Sequence, residues 1–427
     1  MNRFSQTFLT IALLALAAAP AIAQDDRMTL LTGATVHPVD GEPIANGAVL
    51  IRDERIEAIG TEDELAASFD GDRLDIVDLD GLHVYPGFVH PLAQLGLVEI
   101  SSVDGTMDQS EMGSINAALR VEVAFNHDSE LLPVNVAGGI LTAHTVPGGG
   151  LIRGRSAVMR MDGWSWEDMV IQAPAGMHIA FPPGAADNAD NDDLQAIDRV
   201  IEQARQWHRA QAAFDAGNAP RPARNAQLEA LGPLLDGSLP LYLHADNHAT
   251  IEAALDWAER QAFDNLVLVG GPDVQYLAER LAGSDTPAIL TRVYTMPTRR
   301  WEPYDQAYVA AARLHEAGVK FAIAGDSGTN ARNQPFEAGS AAAFGLPKDA
   351  ALKSVTQWPA EILGVGDELG TLSPGKRATL IVTNGDPLEP MTSMERVWID
   401  GEEYDLQRNK QLRLFERYRD HIDATGD

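Results

Sequence analysis

The amino-acid sequence predicts an α/β protein: a closed (β/α)8 barrel of the TIM type with a small β-rich domain assembled from both ends of the chain. Eight short apolar runs separated by segments of helical periodicity carry the barrel. Two turn-rich β segments flanking those runs carry the second domain. No G-x-G-x-x-G follows an early strand, which weighs against an open nucleotide-binding sheet.

Residues 1–23 hold one basic residue, Arg3, an apolar run from Phe8 to Ala19, and the small-residue end Ala21-Ile22-Ala23. This is the pattern of a cleaved export leader, too short to span a bilayer. It predicts a periplasmic protein with no membrane insertion after cleavage. Residues 24–84 then alternate in β fashion between Asp-Gly and Asn-Gly turns, and residues 365–406 have the same character. The two pieces are expected to pair into one β-sandwich. The barrel is expected over residues 85–364. A C-terminal helix is expected over 407–427, where Leu412, Phe415, Tyr418 and Ile422 recur at helical spacing.

Within the barrel the apolar runs fall at 83–89, 139–146, 156–162, 177–182, 241–246, 265–271, 287–294 and 320–326. All eight are expected to run parallel. The stretch 183–237, before the fifth run, reads as a helix, a loop broken by Pro220 and Pro222, and another helix. It is a decorated connection, not a domain.

Composition narrows the function. The formal net charge is −30, from 62 acidic and 32 basic residues. Such a surface repels phosphate backbones and anionic lipid, so no nucleic-acid partner is expected and membrane surfaces are poor candidates. Solubility is the plain reading of that charge, and attraction of a cationic substrate the sharper one. There is no cysteine, which excludes disulfides, thiol catalysis and a lipid-modified N-terminal Cys.

Barrel enzymes carry their chemistry at the C-terminal ends of the strands. His90 follows the first run, His144 ends the second, and His178 lies in the fourth. His244 and Asp246 end the fifth, and Asp326 ends the eighth. Imidazoles and carboxylates converging on one mouth make a zinc or general-base site. Each strand histidine also has a packing explanation; His244 and Asp326, at strand-to-loop transitions, are the stronger candidates. Arg299 and Arg300, after the seventh run, are candidate clamps for a substrate carboxylate. His248 is a reserve ligand, and Gly148-Gly149-Gly150 a turn that brings backbone close to a ligand.

The segments DGLHVYPGFVHPLAQLGL, GGILTAHTVPGGGLIRG, LYLHADNHATIEAAL, FAIAGDSG and WPAEILGVGDELGTLSPGKRATLIV resemble the amidohydrolase superfamily, in particular its imidazolonepropionase-like branch. The resemblance runs from about Leu30 to about Leu406. It implies a metal-dependent hydrolase barrel with a composite β-sandwich. It also implies metal ligands at the strand ends, and here the pattern is incomplete. The family's His-x-His pair falls on Leu92 and Gln94, and its preceding acidic position on His90. The fourth-strand bridging position falls near His178 and the fifth-strand histidine on His244. The sixth-strand histidine falls at about Gly270 or Gly271, and the eighth-strand aspartate, which also takes the proton from the attacking water, on Asp326. A catalytic zinc usually needs three protein ligands, so a binuclear site is not expected. At most one divalent metal, zinc first, would be held by His244 and Asp326 with His178, His90 or His144.

Three functions fit. One is hydrolysis of C–N bonds in amides, cyclic amides or dipeptide-like molecules, with a reduced or rebuilt metal site and Asp326 as base. A second is a catalytically inactive barrel that binds a small molecule or partners an active relative, as a pair or a homo-oligomer. The third is metal-free acid/base catalysis by His244 with Asp326.

Overall fold

The computed structural model describes residues 28–66, 74–188, 190–325, 328 and 330–425. Residues 1–23, expected as a leader, and Asp326 lie outside the described residues.

Five strands open the chain: β1 (Met28–Val36), β2 (Ile44–Arg52), β3 (Arg55–Thr61), β4 (Leu74–Asp78) and β5 (His83–Pro86). Eight more form the barrel: β6 (Phe88–Ala93), β7 (Ile140–Thr145), β8 (Ile152–Arg160), β9 (Val170–Ala180), β10 (Leu241–His244), β11 (Leu266–Gly270), β12 (Ala288–Thr291) and β13 (Phe321–Gly325). Three return to the first domain: β14 (Leu380–Thr383), β15 (Met394–Ile399) and β16 (Glu402–Glu403). The terminal sheet has the order β16-β15-β14-β5-β1-β2-β3, with β4 branching off β1. Both ends of the chain therefore build one domain around Leu31, Val49, Val84, Leu380 and Trp398.

The run expected as a single strand over 83–89 is divided at Gly87. Tyr85 pairs with Ile381 in the terminal sheet, whereas Phe88 pairs with Ile140 in the barrel. A Cβ at Gly87 would stand 2.6 Å from Leu141 Cδ1. Only glycine lets the chain pass so close to the barrel wall as it changes sheets.

The barrel departs from the all-parallel expectation in one strand. β8 is antiparallel to both β7 and β9, while the remaining ladders are parallel. The reason is chain length. A parallel crossover needs roughly a dozen residues or more, and residues 146–151, with their glycine turn, permit only a reversal. The expected third strand at 156–162 thus begins too late and runs the other way. The N-terminal end of β8 consequently lies at the mouth, among the C-terminal ends of the other strands.

The ring is sealed between β6 and β13 by side-chain and loop bonds. The Gln334 Nε2 amide donates to Val89 O at 3.1 Å and to Ile323 O at 2.8 Å. Val89 N donates to Val355 O and Ile323 N to Ser354 O. Gln334 is fully buried, so Gln334→Leu strands two carbonyls. The expected loss is about 1–3 kcal/mol, read as a lower urea midpoint at unchanged slope.

The excursion before β10 holds the helix Asp192–Asp215 and the short helices Ala226–Ala230 and Gly232–Leu235. Its long helix is tied to the helix His248–Gln261 where Asp198 Oδ1 accepts from Trp257 Nε1 at 2.8 Å. The chain ends in the helix Lys410–Thr425.

Candidate functional site

A cavity of about 700 Å3 opens at the mouth, lined by Leu92, Arg153, His244, Asp246, Arg292 and Glu337 among others. Strand register explains its floor. Across β9 and β10, His178 faces Tyr242 and Ala180 faces His244. Across β8 and β9, Gly154 faces His178. Arg153, one residue before Gly154, is thereby brought against His244.

The contacts form a chain. Arg153 Nη1 lies 3.2 Å from His244 Nδ1, and His244 Nε2 lies 2.9 Å from His178 Nδ1. A guanidinium has no acceptor, so His244 Nδ1 accepts. The neutral ring then carries its hydrogen on Nε2 and donates it to His178 Nδ1. His178 is left with its hydrogen on Nε2, a buried atom with no partner among the described residues. Burial holds both rings well below the usual histidine value. For His178 the neighbouring His244, His144 and Arg153 add to this, and for His244 the neighbouring Arg153 and His144. Burial also pulls the Arg153 guanidinium down, against the pull of Asp246.

The other sequence candidates are placed elsewhere. His144 Nδ1 donates to Pro91 O at 2.9 Å, and its Nε2 lies 2.7 Å from the Ser156 hydroxyl. Both ring nitrogens are committed within the wall. His90 is fully buried and its Nδ1 accepts from Leu92 N at 3.3 Å. Leu92 projects into the cavity where a ligand lone pair is expected. Arg299 lines a smaller neighbouring cavity, bound to Asp273 and Glu302. Arg300 is exposed.

Two arginines and one acid at the mouth escape the sequence reading. Arg153 was hidden by the reversal of β8. Arg292 follows β12 with a left-handed backbone (φ 58°) and pairs with Asp246 at 2.6 Å. Its guanidinium lies against Gly271, where a Cβ would stand 2.7 Å from Nη2. Glu337, on the helix Gln334–Ala343, is buried and accepts from Tyr294 N at 3.4 Å. A reversed third strand was legible in the six-residue connection 146–151, and with it Arg153.

The amidohydrolase family model matches residues 168–403, over half of the chain. The chain belongs to the amidohydrolase family. A model of the imidazolonepropionase-like composite domain of bacteria matches residues 47–71, in the terminal sheet domain. Amidohydrolase tasK of Hapsidospora irregularis is 30% identical over 177 residues, 40% of this chain and 18% of that protein. The imidazolonepropionase of Rhizobium meliloti (strain 1021) is 26% identical over 302 residues, 68% of this chain and 59% of that protein. The chain thus spans less than two thirds of either relative. In structure it is similar to an amidohydrolase from Thermotoga maritima MSB8, with a TM-score of 0.80 and 24% identity over 88% of this chain and 99% of that one.

Amidohydrolases are generally metal-dependent, and the described residues of this member do not fit a metal. Among them no group of three or more His, Asp or Glu is arranged to hold one. His244 turns one nitrogen to Arg153 and the other to His178. Leu92 offers no lone pair. A guanidinium beside the imidazole repels a divalent cation, at an energy that low dielectric magnifies.

Proposed function

We propose that this amidohydrolase binds a small carboxylate-bearing molecule at the barrel mouth, with Arg153 as the anchor and without a metal. The observation that carries the reading is the setting of Arg153. Its guanidinium is half-buried at the cavity floor, its neighbour His244 is held neutral, and its Nε is a buried donor without a partner. No ion pair joins it to a carboxylate among the described residues. Asp246 pulls on the guanidinium but is paired with Arg292; a buried cation with no carboxylate bonded to it is costly, and an arginine fork matches a carboxylate. A ligand carboxylate would bond it directly. The reading includes an exported, periplasmic protein, on the strength of the leader 1–23.

A second reading, hydrolysis of a C–N bond with one metal, is favoured by family membership and by the His178–His244 pair at two ligand positions. It requires Arg153 to be displaced and Asp326 to join the set.

Elemental mass spectrometry and titration calorimetry with N-acyl amino acids separate the two. The expected result is negligible metal, even after incubation with zinc. Arg153→Met is expected to weaken carboxylate binding about ten- to hundredfold, the worth of a charge-assisted pair. About one zinc per chain, lost in His244→Ala, would instead establish the second reading.

A further inference from the structure

The C-terminal helix differs in charge from the rest of the molecule. Residues 408–419 carry Arg408, Lys410, Arg413, Arg417 and Arg419 against Glu416 alone, in a chain whose net charge is −30. At about 3.6 residues per turn, the helix Lys410–Thr425 presents three faces. One rests on the protein: Gln411 Oε1 accepts from Arg332 Nη1 at 3.3 Å and Glu416 Oε2 from Gln407 Nε2 at 2.7 Å, with Leu412 half-buried between them. The second carries Lys410, Arg413 and Arg417, all exposed and none ion-paired among the described residues. The third carries Leu414, Phe415 and Tyr418, which are 42%, 64% and 64% exposed.

Beside the basic face lies a groove of about 320 Å3, lined by Asp128, Glu130, Leu132, Met161, Tyr404 and Arg413 among others. Its two edges are opposite in charge and do not satisfy each other. Asp128 and Glu130 pair with no lysine or arginine among the described residues, and Asp128 has only His127 at 3.6 Å. One patch thus holds an apolar ridge, unpaired cations and unpaired acids. Exposed apolar area rich in aromatic residues and arginine marks a surface that associates. An anionic bilayer would take the basic face, but it repels the remainder of the chain and offers nothing to Asp128 and Glu130. A second copy related by a two-fold axis sets the acids of each patch on the cations of the other.

We propose that this patch is a self-complementary interface through which two copies of the chain form a dimer. Leu414, Phe415 and Tyr418 of the two copies close on one another, while Arg413 and Arg417 of each meet Asp128 and Glu130 of the other. Met161 follows the C-terminal end of β8, the end of the barrel opposite the mouth. Pairing therefore leaves the main cavity open in both copies.

Light scattering behind size exclusion, with sedimentation equilibrium, tests this on the mature protein. The expected result is twice the monomer mass at micromolar concentration, with dissociation promoted by salt. Phe415→Ser with Tyr418→Ser is expected to weaken the dimer about tenfold or more at unchanged circular dichroism. Arg413→Glu with Arg417→Glu, and separately Asp128→Lys with Glu130→Lys, are each expected to leave monomers. Mixing those two variant proteins is expected to restore dimers, because every contact across the axis then joins opposite charges. A monomer at every concentration overturns the proposal, as does a dimer that none of the variants weakens, or a mixture that stays monomeric. Flotation of a monomeric protein with phosphatidylglycerol vesicles, lost with the Phe415 and Tyr418 substitutions, would overturn it in favour of a bilayer.

Discussion

Replacing Asp400 by alanine is expected to cost about 3–5 kcal/mol, the loss that follows when one member of a buried ion network is removed. Asp400 is 6% exposed and sits where the barrel meets the terminal sheet. Its Oδ2 accepts from Arg160 Nη1 of β8 at 2.7 Å and from Arg377 Nη1 at 2.9 Å. Its Oδ1 accepts from Thr379 Oγ1 at 3.2 Å. Burial alone would pull the two guanidiniums down, yet both stand above their ordinary value. The carboxylates together outweigh burial, Asp400 with Asp168 at Arg160 and Asp400 with Glu368 and Glu54 at Arg377. Alanine leaves two largely buried cations facing one another, each with only a more exposed carboxylate remaining, Asp168 or Glu368. Asp400→Asn keeps the shape and the Thr379 bond, so it separates charge from packing. Urea unfolding of both variants checks this: a loss under 1 kcal/mol for alanine would mean that the domains are held by their apolar contacts alone.

Much of this architecture was legible because periodicity and turn chemistry are local signals. The β segments at both ends, the eight barrel runs and the terminal helix each follow from patterns within some ten residues. The pairing of the two β segments was a matter of economy, since neither could bury its apolar face alone. All eight strands were expected to run parallel, and β8 runs the other way, as the connection of six residues between Thr145 and Ile152 requires. That one error hid Arg153, because a residue at the start of a parallel strand points to the wrong end of the barrel. The histidines were found at their strand ends, but spacing cannot show what a ring nitrogen faces. His144 turns to Pro91 and Ser156, and His244 to Arg153 and His178, through register set by neighbouring strands far away in sequence. Arg292 was invisible for a different reason: its left-handed backbone and the space beside Gly271 are properties of the folded mouth.

Acidification is expected to destabilise the protein steeply from about pH 6.5 downward, before carboxylates titrate. The cause is the set of histidines held neutral. Burial brings His144 down from 6.5 to about 4, against a bond to Pro91 that raises it and with His90 lowering it further. His37 falls to about 4 through burial and the neighbouring His83, and His178 and His244 lie well below 6.5. In each case the unfolded chain takes up a proton at a pH where the folded chain refuses it. The unfolded state therefore binds more protons, and stability rises with pH in that window. The contribution is complete above about 6.5 and is lost as pH falls toward the folded values. For His144 the difference between 6.5 and about 4, at about 1.4 kcal/mol per pH unit, is worth on the order of 3 kcal/mol. His178 and His244 act in the same direction. The relief of acidic self-repulsion works the other way, but it needs protonated carboxylates and so begins below about pH 5. Urea midpoints measured from pH 7.5 to 5 isolate the histidines. The midpoint is expected to fall throughout the lower half of that range, and His144→Gln to lessen the slope by about one proton. A midpoint unchanged over the whole range would mean that these rings are not held neutral, and the hydrogen-bond order running from Arg153 through His244 to His178 would fall with it.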